Sequence, residues 1–149
     1  MQHPSPFDDP EFYENVLVKR AIAFCIDTAL IFILCFILLP FTGFLALFVW
    51  VPFFAVISFI YRVLTLSYGS ATLGMLFLGI EIRDAQDRPL APLTAALHTV
   101  GFYLSSLLTP VQLISFVTML ATSKGQSITD LVLDTVVINK RATAFTNLN

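Results

Sequence analysis

The sequence predicts an all-α integral membrane protein: a small bundle of three or four transmembrane or re-entrant helices with a short cytoplasmic two-stranded β element. Three observations predict it. Hydrophobic residues make up 57% of the 149-residue chain and charged residues only 12%, against about 25% charged in an ordinary soluble domain. No Lys, Arg, Asp or Glu occurs in residues 28–61 or 89–123, and the first gap exceeds the roughly 20 residues that one helix needs to cross a bilayer. Inside the apolar run 21–39 stands a single acid, Asp27. Its insertion into hydrocarbon costs about 3 kcal/mol unless a partner or a water-filled cavity meets it.

Each element follows in order. Residues 1–15 carry acids where a cleaved signal needs bases, and the apolar run after them is too long for a signal core. They read as a mobile cytoplasmic tail, with Phe12 and Tyr13 resting at the membrane interface, where aromatic rings concentrate. A first helix is expected over 16–39, then a turn at Pro40-Phe41-Thr42-Gly43, then a second helix over 44–65. Pro52 falls inside that second helix and should kink it. Gly69, Gly74 and Gly79 interrupt any long helix in the next stretch, while 78–83 alternates apolar and polar residues as a half-buried strand does. Asp87-Arg88-Pro89 is a turn.

The apolar segment around Pro110 fits either one kinked span or two short helices, over 92–109 and 111–122, the second short enough to be re-entrant. Lys19, Arg20, Arg62, Arg83 and Arg88 share one side if the first two helices form a hairpin, and the excess of basic residues marks the cytoplasmic side. Lys124, Lys140 and Arg141 join them only if the Pro110 segment enters and returns. Residues 135–139 read as a second strand, able to pair with 78–83 only from that same side. The expectation is an even number of crossings with both termini cytoplasmic, and a tail over 142–149. The alternative is three crossings with an external C-terminus.

The remaining residues exclude most function classes. Eight Lys and Arg residues, scattered in a chain of net charge −2, make no nucleic-acid surface. Cys25 and Cys35 read as small core or lipid-facing residues. His3 has no metal-ligand companions at useful spacing. The glycines at five-residue intervals precede no Gly-Lys-Ser/Thr and are no phosphate loop. Ser105, Ser106 and Thr109 suit hydrogen bonds between helices better than nucleophilic attack, and Trp50 and the phenylalanines suit lipid-facing or packing positions. No catalytic, cofactor or metal constellation emerges, so an enzyme is the least expected class.

Four residues form the candidate intramembrane constellation: Arg20, Asp27, His98 and Asp130. Arg20 lies about 10 Å above Asp27 along the first helix. A third helix starting near residue 93 puts His98 roughly 8 to 9 Å deep, almost level with Asp27, and a direct or water-bridged Asp27–His98 contact is expected. Such a pair would be titratable, since histidine changes charge near neutral pH. Asp130 follows the polar stretch 124–127 near the level of Arg20. The two are expected to pair, the arginine fork holding the carboxylate with two donors.

These motifs, in this order, resemble the RDD family of bacterial membrane proteins. Its arginine and first aspartate match Arg20 and Asp27 in KRAIAFCID. The middle signature is similar to ATLGMLFLGIEIRDAQDRPL, and the second aspartate matches Asp130 in SITDLVLDTVVI. The likeness runs roughly from 17 to 139. This chain departs from the pattern at Met75, Leu76 and Phe77, where basic residues are usual. It departs also at Thr129 (usually histidine), Asp134 (usually glycine) and His98 (often arginine). The resemblance implies a small multi-pass protein of the bacterial inner membrane, for some members associated with transport or sodium/proton exchange.

Three functions compete. The chain could be an accessory or assembly subunit docking on a larger membrane complex, with the polar constellation forming structural pairs that fix helix packing. It could be a small ion or proton-coupled transport component with Asp27 as the cation or proton site. It could also act as a homo-oligomer sharing a pore, although no small-xxx-small stripe supports that. The small size and the uncharged outer turns favour the accessory role.

Overall fold

The computed structural model describes residues 3–140. Arg141 and the tail over 142–149 lie outside the described residues. Helix α1 spans Val16–Leu38 and helix α2 spans Trp50–Gly69. The stretch Pro10–Leu38 and the helix Trp50–Gly69 are long and apolar enough to cross a membrane, with mean hydropathies of 2.7 and 1.6.

Two 3-10 turns, Pro40–Thr42 and Leu45–Leu47, fill the connection, so α2 begins at Trp50 rather than at residue 44. Pro52 then stands in the first turn of α2, where its missing N–H forfeits no intrahelical bond. The cause of the expected kink disappears. Aromatic rings join the two helices at the end far from the termini: Phe32 and Phe54 lie 4.8 Å apart, and Phe36 and Trp50 5.7 Å, between ring centroids.

After α2 the chain leaves through Ser70, left-handed at φ 53. It then forms a short helix, α3, over Leu73–Phe77, followed by strand β1 over Ile80–Arg83. Ser70 organises this crossover: its carbonyl accepts from the Ile82 amide at 2.7 Å and its hydroxyl from the Leu90 amide at 2.7 Å. Asp84 closes the turn that follows, its Oδ1 accepting from the Gln86 and Arg88 amides at 2.9 and 2.8 Å.

Helix α4 (Pro92–Leu107) and helix α5 (Thr109–Ala121) meet at a 116° bend. The Pro110 segment is thus two short helices, the second turning back. Helix α6 (Ile128–Leu133) and strand β2 (Val136–Asn139) complete the described chain. Strand β2 pairs antiparallel with β1, from Ile80 opposite Asn139 to Arg83 opposite Val136. The pairing expected from the sequence is present, and it places residue 139 at the same end as residue 80. A topology in which the Pro110 segment crosses once would put residue 139 at the opposite end.

The core gathers at this sheet end, where Ile80, Ile82, Val136, Val137 and Ile138 are buried with Val16, Ala23, Leu66 and Ala95. β1 is more deeply covered than a half-buried strand: Glu81 is buried too, because Arg83 Nε donates to its Oε1 at 2.9 Å and neutralises it. The N-terminal stretch also differs from expectation. Phe12 packs against Val136 and Ile138 instead of resting at an interface. Asn139 Nδ2 donates to the Glu11 and Glu14 carbonyls at 2.8 and 3.0 Å, tying residues 11–14 to the sheet. Of the cysteines, Cys35 is buried and Cys25 exposed.

Candidate functional site: two buried carboxylates

Asp27 sits midway along α1, 2% exposed, so burial demands hydrogen bonds for its oxygens. Three donors supply them. Tyr61 Oη donates to Oδ1 at 2.6 Å, the Gly74 amide to Oδ1 at 2.8 Å, and Thr72 Oγ1 to Oδ2 at 2.5 Å. The sequence makes this arrangement locally. Thr72 is the N-cap of α3, its hydroxyl accepting from the Met75 amide at 3.3 Å while donating to Asp27. Tyr61 Oη in turn accepts from the Leu73 amide at 3.2 Å. Gly74 comes so close that a Cβ there would lie 2.4 Å from the Ala23 carbonyl and 3.0 Å from Asp27 Cγ. Only glycine permits that approach.

Asp130 is fully buried in α6. Its Oδ2 accepts from Arg20 Nη1 at 2.7 Å and from the Ser127 amide and hydroxyl at 3.0 and 2.8 Å; its Oδ1 meets His98 Nε2 at 2.8 Å and the Thr135 hydroxyl at 3.2 Å. Ser127 and Asp130 form a capping box, so the carboxylate also terminates its own helix. Burial by itself would raise this carboxyl's pKa, but the Arg20 charge, the His98 bond and charge, and the Ser127 amide hold it well below the usual carboxylate range.

Arg20 and Asp130 therefore pair as the sequence predicts, with one difference. The fork is not bidentate, because Arg20 Nη1 serves both Asp130 and the Gly125 carbonyl, the latter at 3.2 Å. The expected Asp27–His98 contact is not formed. His98 bonds Asp130 instead. Depth arithmetic puts His98 level with Asp27, but α6 returns beside α4 and delivers Asp130 to it, while α3 fills the space next to Asp27. The close fit of α4 and α6 rests on Gly101, where a Cβ would lie 2.6 Å from Thr129 Cγ2. The Lys19 ammonium donates to Asn139 Oδ1 at 2.6 Å and ties α1 to β2.

Sequence reasoning missed Tyr61, Thr72, Ser127 and Thr135. Thr72 and Ser127 carried a legible signal, since each is a hydroxyl residue opening a short apolar helix. Tyr61 and Thr135 carried none, for only the fold brings them to a carboxylate. The hydroxyls of the Pro110 segment behave variously: Ser106 bonds back to the Phe102 carbonyl of its own helix, and Ser115 accepts from the Ile128 amide at 3.3 Å, linking α5 to α6.

A helical chain with two helices long and apolar enough to cross a membrane, a small sheet at one end and paired buried carboxylates defines a class. The family model that matches residues 16–134 is the RDD family, and the chain belongs to it. No curated protein and no solved structure matches. Arg20 and Asp130, which the resemblance matches to the family's arginine and second aspartate, are joined at 2.7 Å, whereas Asp27 belongs to a separate centre.

Proposed function

We propose that the chain is a non-enzymatic accessory or assembly subunit of a larger complex in the bacterial inner membrane, with its sheet end in the cytoplasm. One observation carries the reading: the oxygens of Asp27 and Asp130 are all engaged by donors of the same chain. The acids thereby join α1, α2 and α3 at one centre and α1, α4 and α6 at the other, a structural use of buried charge. What is left to interact is the apolar outer face, where Phe36, Ile37, Leu107 and Leu120 are exposed. The orientation follows from charge, since Lys19, Arg20, Arg83, Arg88 and Lys140 belong to the sheet end and the opposite connection over 39–49 has none. Extraction of the native complex in a mild detergent, followed by native mass spectrometry, tests it. A defined hetero-complex is expected; a lone monomer overturns the proposal.

A second reading keeps Asp27 as a proton or small-cation site. It is favoured by the surroundings of that carboxylate, which meets the hydroxyls of Tyr61 and Thr72 and, among the described residues, forms no ion pair. Intramembrane acids of this kind mark ion pathways in transporters. Flux into proteoliposomes that is equal for the wild type and Asp27→Asn ends this reading.

A further inference from the structure

Arg62 is a cation that neither buried carboxylate uses. It stands within α2, and no carboxylate of the described residues lies within ion-pair distance of it. Its Nε is buried and meets no acceptor among the described residues. The guanidinium is held by rings instead, its Cζ 4.4 Å from the Phe102 centroid and 5.7 Å from that of Phe24. Such stacking orients the plane but leaves the N–H donors without oxygen partners.

Its depth is set from two helices independently. Phe24 follows Arg20 by four residues in α1, and Phe102 follows His98 by four in α4. Both counts put the guanidinium about 6 Å, one helical turn, below the Arg20–Asp130–His98 cluster. With Arg20 bordering the apolar run 21–39, the guanidinium stands about one turn inside the edge of the hydrocarbon, a depth from which a long basic side chain reaches headgroups.

Along α2 from it, beginning two residues away at Ile60, an apolar groove of about 220 Å³ lies between α2 and α4, lined by Ala55, Val56, Phe59, Ile60 and Tyr103. Tyr103 presents its ring to the groove, because its hydroxyl is bonded to Ser58 Oγ. Val56 and Ile60 are exposed, so the groove opens outward. From Ile60 to Ala55 it extends about 7.5 Å, past the middle of α2 toward the N-terminal end of that helix. Charge at the shallow end and carbon along the deep end match one class of molecule.

We propose that this face binds an anionic phospholipid, its phosphate on the Arg62 guanidinium and the upper part of one acyl chain in the α2–α4 groove. Basic pockets between transmembrane helices recognise lipid headgroups in this way. The site does not depend on the assembly role, since a monomer could hold the lipid as well as a subunit could.

The test uses the full chain in mild detergent with equimolar phosphatidylglycerol and phosphatidylcholine, retained lipid being counted by native mass spectrometry. Phosphatidylglycerol is expected to exceed phosphatidylcholine by at least about fivefold, the factor one basic side chain near an anionic surface provides. Arg62→Gln should abolish the preference and Arg62→Lys should keep part of it. Ala55→Phe, which fills the groove, should lower retention of both lipids. Equal retention of the two lipids, or an unchanged preference in Arg62→Gln, overturns the proposal. So does complete displacement of phosphatidylglycerol by inorganic phosphate, which would make this a free-anion site. A lipid-independent dimer that Arg62→Gln dissociates would assign the guanidinium to a protein carboxylate and overturn it equally. Should Arg62→Gln fail to fold, the wild-type preference and the Ala55→Phe loss decide.

Discussion

Gly74 and Asp27 meet across the α1–α3 contact, the glycine amide donating to the carboxylate at 2.8 Å while its Cα lies against the Ala23 carbonyl. The bond and the close approach are one requirement: the amide reaches Oδ1 only because no side chain holds the helices apart. Gly74→Ala should therefore destabilise the fold by about 2 kcal/mol, the scale of overpacking at a tight contact. Thermal melts in detergent measure it. Gly69→Ala, where a Cβ meets nothing within 4 Å, is the control and should change little.

Tyr61 serves Asp27 and the Leu73 amide together. Tyr61→Phe removes both bonds and should cost about 1 to 3 kcal/mol, a range set by the Leu73 amide losing its acceptor and Asp27 one of its donors. Thr72→Val should cost a comparable amount, since it deletes an N-cap as well. The double variant should lose less than the sum, because the two hydroxyls satisfy one carboxylate.

The stability held by Asp130 has a definite acid limb. Its folded pKa lies below the unfolded value of about 4. The ionised carboxylate's contribution is thus complete above about pH 4 and is lost as pH falls from there toward the folded value. Melting temperature against pH should show that fall. Asp130→Asn should be less stable at neutral pH by about 3 kcal/mol, since it leaves Arg20 uncompensated, and its acid limb should be shallower.

His98 acts on α6 through Asp130. Removing the imidazole should matter only while the acid is present: His98→Ala should destabilise the wild type more than it does Asp130→Asn, with a coupling of about 1 kcal/mol. Equal losses in the two backgrounds would separate His98 from the carboxylate.

Asp134 ends α6 in the left-handed region, at φ 49. The resemblance implies glycine at this position, and the backbone gives a reason, because that conformation strains any side chain. Asp134→Gly should raise stability by about 0.5 kcal/mol and Asp134→Val should lower it, the strain exceeding the entropy that glycine loses. Denaturation of the two variants side by side gives the sign.

The apolar runs, the strands at 78–83 and 135–139 and the Arg20–Asp130 pair were legible because each rests on one periodicity or one depth. Helical rise converts residue number into height, and the polar stretch 124–127 puts Asp130 near the interface, level with Arg20. The neighbours of Asp27 were not legible by that means. Height along a helix says nothing of which face turns where, and height alone put His98 beside Asp27 rather than Asp130. Arg62 counted only as a flanking charge, since nothing in a linear chain places Phe24 and Phe102 on either side of it.

By itself the sequence determined that this chain is a bundle of apolar helices joined to a two-stranded sheet, since hydrophobic length and alternation are properties of consecutive residues. Tertiary structure alone decided which donor meets which acid. That choice depends on the 116° bend between α4 and α5 and on the seat of Gly74 against α1, where a single methyl group would separate the partners.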